Sequence, residues 1–302
     1  MTSIQSAAPR DPNVDAIHFV LRRLHSLTGI VPIGVFLIAH LTTNSTLVWG
    51  GANSRAGEYA DDFNGRAVAT FQEEVSFING LPALLLIEIT LWGAIAFHSV
   101  LGFYYAFTGK GNTKRYPHMD NWRYTLQRIS GYVGIFFIIY HVGTLRWGWT
   151  WLVPDGTKWS HHWSASTLAA AMQGSPDGVT TAGIAVALGY FIGVTLLVFH
   201  FANGLWTAAI TWGLTVSIPA QRRWGAVCAM LGLGLTVLGW ASIYGAMTVD
   251  PVEAFYVERE LHEKKHGEVP EPPAFVIEMD LAIPEPAEQS VAGAEDHSGG
   301  GH

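Results

Sequence analysis

The chain has 302 residues, of which 49% are hydrophobic and only 14% charged, with a formal net charge of −7. The charges avoid long stretches entirely; none falls between Gly178 and Gln221. Runs of this length without charge exclude a soluble helical domain and point to a lipid bilayer, because about 20 apolar residues cross roughly 30 Å of hydrocarbon. No nucleic-acid partner is expected. The single cysteine, Cys228, excludes an intrachain disulfide, and no CxxCH motif offers covalent haem attachment.

In chain order, residues 1–21 are polar, carry Asp11 and Asp15, and lack the pattern of a cleavable signal, so they read as a cytoplasmic N-terminal segment. Five apolar segments follow: Leu27–Val48, Pro82–Phe107, Leu126–Trp147, Ala182–Leu214 and Trp224–Met247. The expected fold is an all-α membrane protein, with residues 22–248 forming a bundle of five transmembrane helices. Trp49, Trp122, Trp147, Trp206 and Trp224 fall near segment ends, where amphipathic rings prefer to sit. Arg22 and Arg23 precede the first span, Lys110, Lys114, Arg115, Arg123 and Arg128 surround the second link, and Arg222 and Arg223 fill the fourth. The positive-inside rule then places the N-terminus in the cytoplasm and the C-terminus outside, as in a multi-pass protein of the inner (cytoplasmic) membrane.

Residues 249–302 are a different material, with 13 acidic residues against three basic ones and abundant proline. This composition predicts a disordered tail, in which Phe275–Ile283 is a strand-like patch able to dock and the histidines, including His262 and His266, are solvated.

Four histidines lie deep in four different spans: His40, His98, His141 and His200. An ionisable ring in hydrocarbon is costly and is usually kept for a task. At ~1.5 Å per residue, His40 lies ~12 Å and His141 ~9 Å below the outer face, while His98 lies ~24 Å and His200 ~27 Å below it. Two histidines at equal depth on different helices can supply both axial ligands of one haem, since imidazole suits iron and bundle cores host such sites. Two layers predict two haems b, stacked across the membrane as a path for electrons. Gly102 and Gly204, four residues after His98 and His200, lie on the same helix faces and predict room for a macrocycle edge.

Glu88 is the one carboxylate well inside a span, in its outer half. It reads either as a proton donor or acceptor at a quinone site near the outer face, or as a hydrogen-bonding partner to a helix or haem. At the inner edge, Arg22, Arg23, Ser26, Trp122 and Arg128 are placed to bind haem propionates, the alternative being simple anchoring of helix ends.

The run Arg22-Arg23-Leu24-His25-Ser26-Leu27-Thr28-Gly29, followed by Ile38-Ala39-His40-Leu41, resembles the first span of the di-haem cytochrome b anchor subunits of succinate:quinone oxidoreductases (succinate dehydrogenases and fumarate reductases). Phe97-His98-Ser99-Val100-Leu101-Gly102 is similar to that family's second-helix motif. Leu126-Gln127-Arg128-Ile129-Ser130-Gly131 with Tyr140-His141-Val142 is similar to its third, and Phe199-His200-Phe201-Ala202-Asn203-Gly204-Leu205-Trp206 to its fourth. The resemblance spans Phe19 to Met247. It implies that His98 and His200 ligate the haem nearer the catalytic subunits, and His40 and His141 the distal one. It also implies a flavoprotein and an iron–sulfur protein docked on the cytoplasmic face, exchanging electrons with a membrane quinone, menaquinone being the expectation. The chain has neither a Rossmann fingerprint nor a cysteine set for an iron–sulfur cluster, so it would not oxidise succinate alone. Its long outer loops, Trp49–Leu81 and Gly148–Thr181, and its tail depart from the pattern. Anchoring another quinone-linked dehydrogenase, or a non-redox transporter or proton relay built on Glu88 and the histidines, are the alternatives.

Overall fold

The computed structural model describes residues 12–108 and 119–281. The link carrying Lys110, Lys114 and Arg115, the first eleven residues and the tail beyond residue 281 lie outside the described residues. Ten α-helices and no strand occur among those described. Five spans are long and apolar enough to cross a membrane: Asp15–Ala52, Leu84–Thr108, Trp122–Leu145, Thr181–Thr211 and Ile218–Thr248.

The first span begins earlier than its apolar run suggests. Helix α1 (Pro12–Ile30) takes in much of the polar N-terminal segment and passes at Val31 into α2 (Pro32–Trp49). Pro32 cannot donate to the ladder, yet Val31 N still reaches Leu27 O at 2.9 Å and Val35 N reaches Val31 O at 3.3 Å. The break is therefore local, as expected at a helix-interior proline. Helices α4 (Leu84–Thr108), α5 (Met119–Leu145), α7 (Thr181–Thr211) and α8 (Ile218–Thr248) complete the bundle. α1 packs on α4 and α5 on α7, while α8 lies against α2 and α7. Leu41, Val198 and Leu235 form the apolar seam that joins α2, α7 and α8.

The two long loops and the start of the tail build a helical cap over one end of the bundle. It comprises α3 (Phe63–Asn79), α6 (Ser164–Gln173), α9 (Pro251–His266) and a short α10 (Ala274–Glu278). Every residue of α6 is buried. Its first-turn amides, which have no partner within the helix, are met by side chains from both neighbours. Gln72 of α3 accepts from Ser164 N at 2.9 Å, and Glu258 of α9 accepts from Ala165 N at 2.6 Å and Ser166 N at 3.4 Å.

The expectation of a disordered tail is overturned for residues 250–281. Asp250 caps α9 by accepting from Val252 N and Glu253 N, Pro251 opens the helix, and Gly267 closes it at φ 70°. The charges lie beside a buried stripe that includes Ala254, Phe255 and Leu261. Fully burying Phe255 and Leu261 contributes roughly 1.5–3 kcal/mol each, which an evenly charged tail could not offer. His262 is only 4% exposed, with Nε2 2.7 Å from His162 O, and is not a solvated tail residue. The Phe275 patch docks on Trp163 and Phe255, but as a helical turn rather than a strand.

Candidate functional site

The four span histidines meet in two pairs. Toward the end of the bundle that bears Arg22, Arg128 and Arg222 (the basic face), His98 of α4 and His200 of α7 stand with ring centres 6.0 Å apart and planes at 77°. Toward the cap, His40 of α2 and His141 of α5 stand 5.6 Å apart at 80°.

The basic-face pair is held by two matching helix contacts. His98 Nδ1 lies 2.9 Å from the carbonyl oxygen of His25 on α1. His200 Nδ1 lies 3.1 Å from the carbonyl oxygen of Gln127 on α5, with Ser130 Oγ at 3.2 Å. A carbonyl only accepts, so Nδ1 carries the hydrogen and Nε2 keeps a free lone pair, the state a metal needs. Glycines set the approach from both sides. One turn beyond His25, a Cβ on Gly29 would stand 2.6 Å from His98 Cε1, and one turn beyond Gln127, a Cβ on Gly131 would stand 3.1 Å from His200 Cε1. Gly102 faces His25 and Gly204 faces Gln127 at 3.3 and 3.6 Å from a virtual Cβ. Gly102 and Gly204 thus lie against the residues whose carbonyls face His98 and His200.

Two residues outside the expected set complete this end of the bundle. The His25 ring stacks on His98, with centres 3.9 Å apart and planes at 15°. Gln127 links α5 to α7. It donates to His200 O at 3.0 Å and accepts from Asn203 Nδ2 at 2.8 Å, and Arg123 Nε binds Asn203 Oδ1 at 3.1 Å. The repeated His/Gln-x3-Gly spacing on α1 and α5 was the available signal.

On the cap side, His141 Nδ1 lies 3.3 Å from Tyr190 Oη, and Phe137 stacks on its ring. Phe36 stacks on His40, whose Nδ1 lies 3.4 Å from Asn44 Nδ2.

These arrangements can be tested against a metal. Two imidazoles that share one ion at roughly 2 Å each place their ring centres roughly 6 Å apart, and both pairs have that separation. Among the described residues no group of three or more His, Cys, Asp or Glu could hold an ion. Two imidazoles outside any larger ligand group would suit a metal whose remaining positions come from its own macrocycle. Three buried polar atoms beside the basic-face pair have no partner: His25 Nδ1, Tyr105 Oη and Arg128 Nε. The Arg22 guanidinium sits 5.4 Å from the centre of the Tyr105 ring, which meets His25 edge-on at 5.7 Å. Arg128 also donates through Nη2 to Ala106 O. Unmet donors backed by guanidinium groups suit an anionic group such as a propionate.

The remaining predicted residues have other surroundings. Arg23 Nη2 donates to Thr211 O at 2.9 Å, and Ser26 Oγ accepts from Trp212 Nε1 at 2.9 Å, so both tie α1 to the end of α7. Trp122 is 52% exposed on α5. Glu88 sits one turn into α4, nearer the cap-side rim than its place in the apolar run implied. It pairs with Arg146 at 2.8 Å, with Trp92 and Trp147 alongside at 5.4 Å between ring centres.

No family model matches the chain. It is 32% identical over 228 residues to the succinate dehydrogenase cytochrome b558 subunit of Bacillus subtilis (strain 168), a match covering 75% of this chain and 96% of that protein. With five apolar spans and paired histidines in the core, the chain belongs to the family of succinate dehydrogenase cytochrome b membrane subunits.

Proposed function

We propose that this chain is the membrane anchor and electron-transfer subunit of a succinate:quinone oxidoreductase, holding two haems b. His98 and His200 ligate the basic-face haem, and His40 and His141 the cap-side haem. The observation that carries the reading is the pairing of four span histidines at 5.6 and 6.0 Å, with Nδ1 of His98 and of His200 each on a main-chain carbonyl. When bound, haem iron supplies one-electron redox chemistry. The chain's residues fix ring orientation through His25, Gln127 and Tyr190, meet carboxylates through Arg22 and Arg128, and exclude water by burial.

The basic face is cytoplasmic in this reading, on the positive-inside argument. It receives the iron–sulfur and flavoprotein subunits there, in the inner membrane. The quinone, with menaquinone the expected species, binds near the cap-side rim, where Glu88 exchanges protons with its head group and Arg146, always charged, pairs with the carboxylate. The long loops that set this chain apart, with residues 250–281, form a cap close to that site.

The test is a dithionite-reduced minus oxidised spectrum of the purified membrane protein, with extracted haem counted per chain. Two haems b are expected, and His98→Ala should remove one and leave the other. A protein without haem, or a His98→Ala variant that keeps both, would overturn the reading.

A further inference from the structure

The two histidine pairs differ in what faces their Nδ1 atoms. On the basic face each Nδ1 has a main-chain carbonyl, which no substitution removes, joined at His200 by Ser130 Oγ. At His141 the partner is a side chain. Tyr190 is 8% exposed on α7. Its ring meets His141 at 5.7 Å, Phe137 at 5.2 Å and Tyr140 at 6.2 Å, each near edge-on, and belongs to the apolar cluster that joins bundle and cap. Thr144, only 3% exposed, lies beside the same hydroxyl. The phenol is therefore held in place by packing and has a second polar neighbour.

From this we infer that Tyr190 is a positioning residue for the cap-side cofactor, acting through His141 and setting its electron affinity separately from that of the basic-face cofactor. The inference rests on the di-haem reading above. If His141 binds iron through Nε2, Nδ1 carries a hydrogen and Tyr190 Oη accepts it. Thr144 then remains for the phenol's own proton. An accepted Nδ1–H bond makes the imidazole a stronger donor and favours the more oxidised metal. Loss of the acceptor leaves a buried N–H unmet and weakens that preference. The ring's edge contacts do not depend on the hydroxyl, so Tyr190→Phe separates hydrogen bonding from packing.

The experiment measures both haem midpoint potentials and the low-temperature EPR spectrum of the purified wild type and of Tyr190→Phe. It is repeated in a His98→Ala background, where the cap-side haem alone remains. The expected result is two haems per chain, an unchanged basic-face haem and a cap-side haem that is easier to reduce with an altered EPR signal. Outer partners of metal ligands change affinity by roughly 10–100-fold. A tenfold change in the ratio of ferric to ferrous affinity corresponds to about 59 mV for a one-electron couple. An unchanged cap-side potential and EPR signal, with both haems present, would overturn the role of Tyr190 and leave the di-haem reading standing. Equal shifts in both haems would also overturn it. Absence of haem from the wild type would instead overturn the reading beneath it.

Discussion

Glu258→Ala should loosen the cap without unfolding the bundle. The Glu258 carboxyl is fully buried. It accepts from Ala165 N at 2.6 Å, Ser166 N at 3.4 Å and Ser166 Oγ at 2.6 Å. Truncation leaves two backbone amides without a partner in a site closed to water, at ~1–3 kcal/mol each. Ser166 Oγ keeps a second acceptor, Trp163 O, at 3.4 Å. Removing the carboxyl also relieves its own desolvation, which offsets part of the loss. The net effect on the cap is therefore about 2–4 kcal/mol, or roughly 30- to 700-fold faster opening at 1.4 kcal/mol per factor of ten. Amide hydrogen exchange, resolved to α6 and α9 in detergent or nanodiscs, would report it. Exchange in α9 within twofold of wild type, with α7 and α8 unchanged, would refute the claim that this carboxyl holds the cap together.

Burial pushes the Glu258 carboxyl up to about 8. A folded pKa above the unfolded value of about 4.3 gives stability that is complete at low pH and lost as pH rises through about 8. Intrinsic-rate-corrected exchange protection of α9 should then fall as pH rises from about 4.3 to about 8 and level off above that, and Glu258→Gln should flatten the fall. His161 and His262, held below the usual imidazole range chiefly by burial, act in the opposite sense and only below about pH 6.5. Gly29→Ala places a Cβ 2.6 Å from His98 Cε1, so the ring must move. On the di-haem reading, haem per chain should drop from two toward one, and a full complement would contradict the close helix approach argued for α1 and α4. The Glu88–Arg146 pair has side chains 29% and 56% exposed. A double-mutant cycle on thermal unfolding should give a coupling of about 0–1 kcal/mol, and a coupling several times larger would mean the pair is a structural clamp.

The spans were legible because a bilayer imposes a composition as well as a pattern. Runs such as Thr181–Thr211 are long and apolar enough to cross a membrane. The two layers of histidines were legible for a related reason: a helix rises by a fixed step, so position in a span is depth. The first span's start was misplaced because α1 extends beyond the apolar run, carrying Arg22 and Arg23 on a helix that continues past the hydrocarbon edge. The cap was missed for a reason of scale. Averaged over residues 249–302, acidic and proline-rich composition hides one ordered helix. Its local signals were nevertheless present: Asp250 as cap, Pro251 at the first turn, Lys264 and Lys265 in the last, and Gly267 just beyond.

The amino-acid sequence by itself determined the bilayer, the five spans and the depth of each histidine, since these depend on composition and on the rise of a helix. Only the tertiary structure decided which atoms face those histidines. The carbonyls of His25 and Gln127 are main-chain groups common to every residue, so their role has no signature in residue type. Likewise, Tyr190 meets His141 from another helix 49 positions away, and Glu258 reaches α6 across 93. Such long-range contacts arise from helix packing, and no local pattern in the chain encodes them.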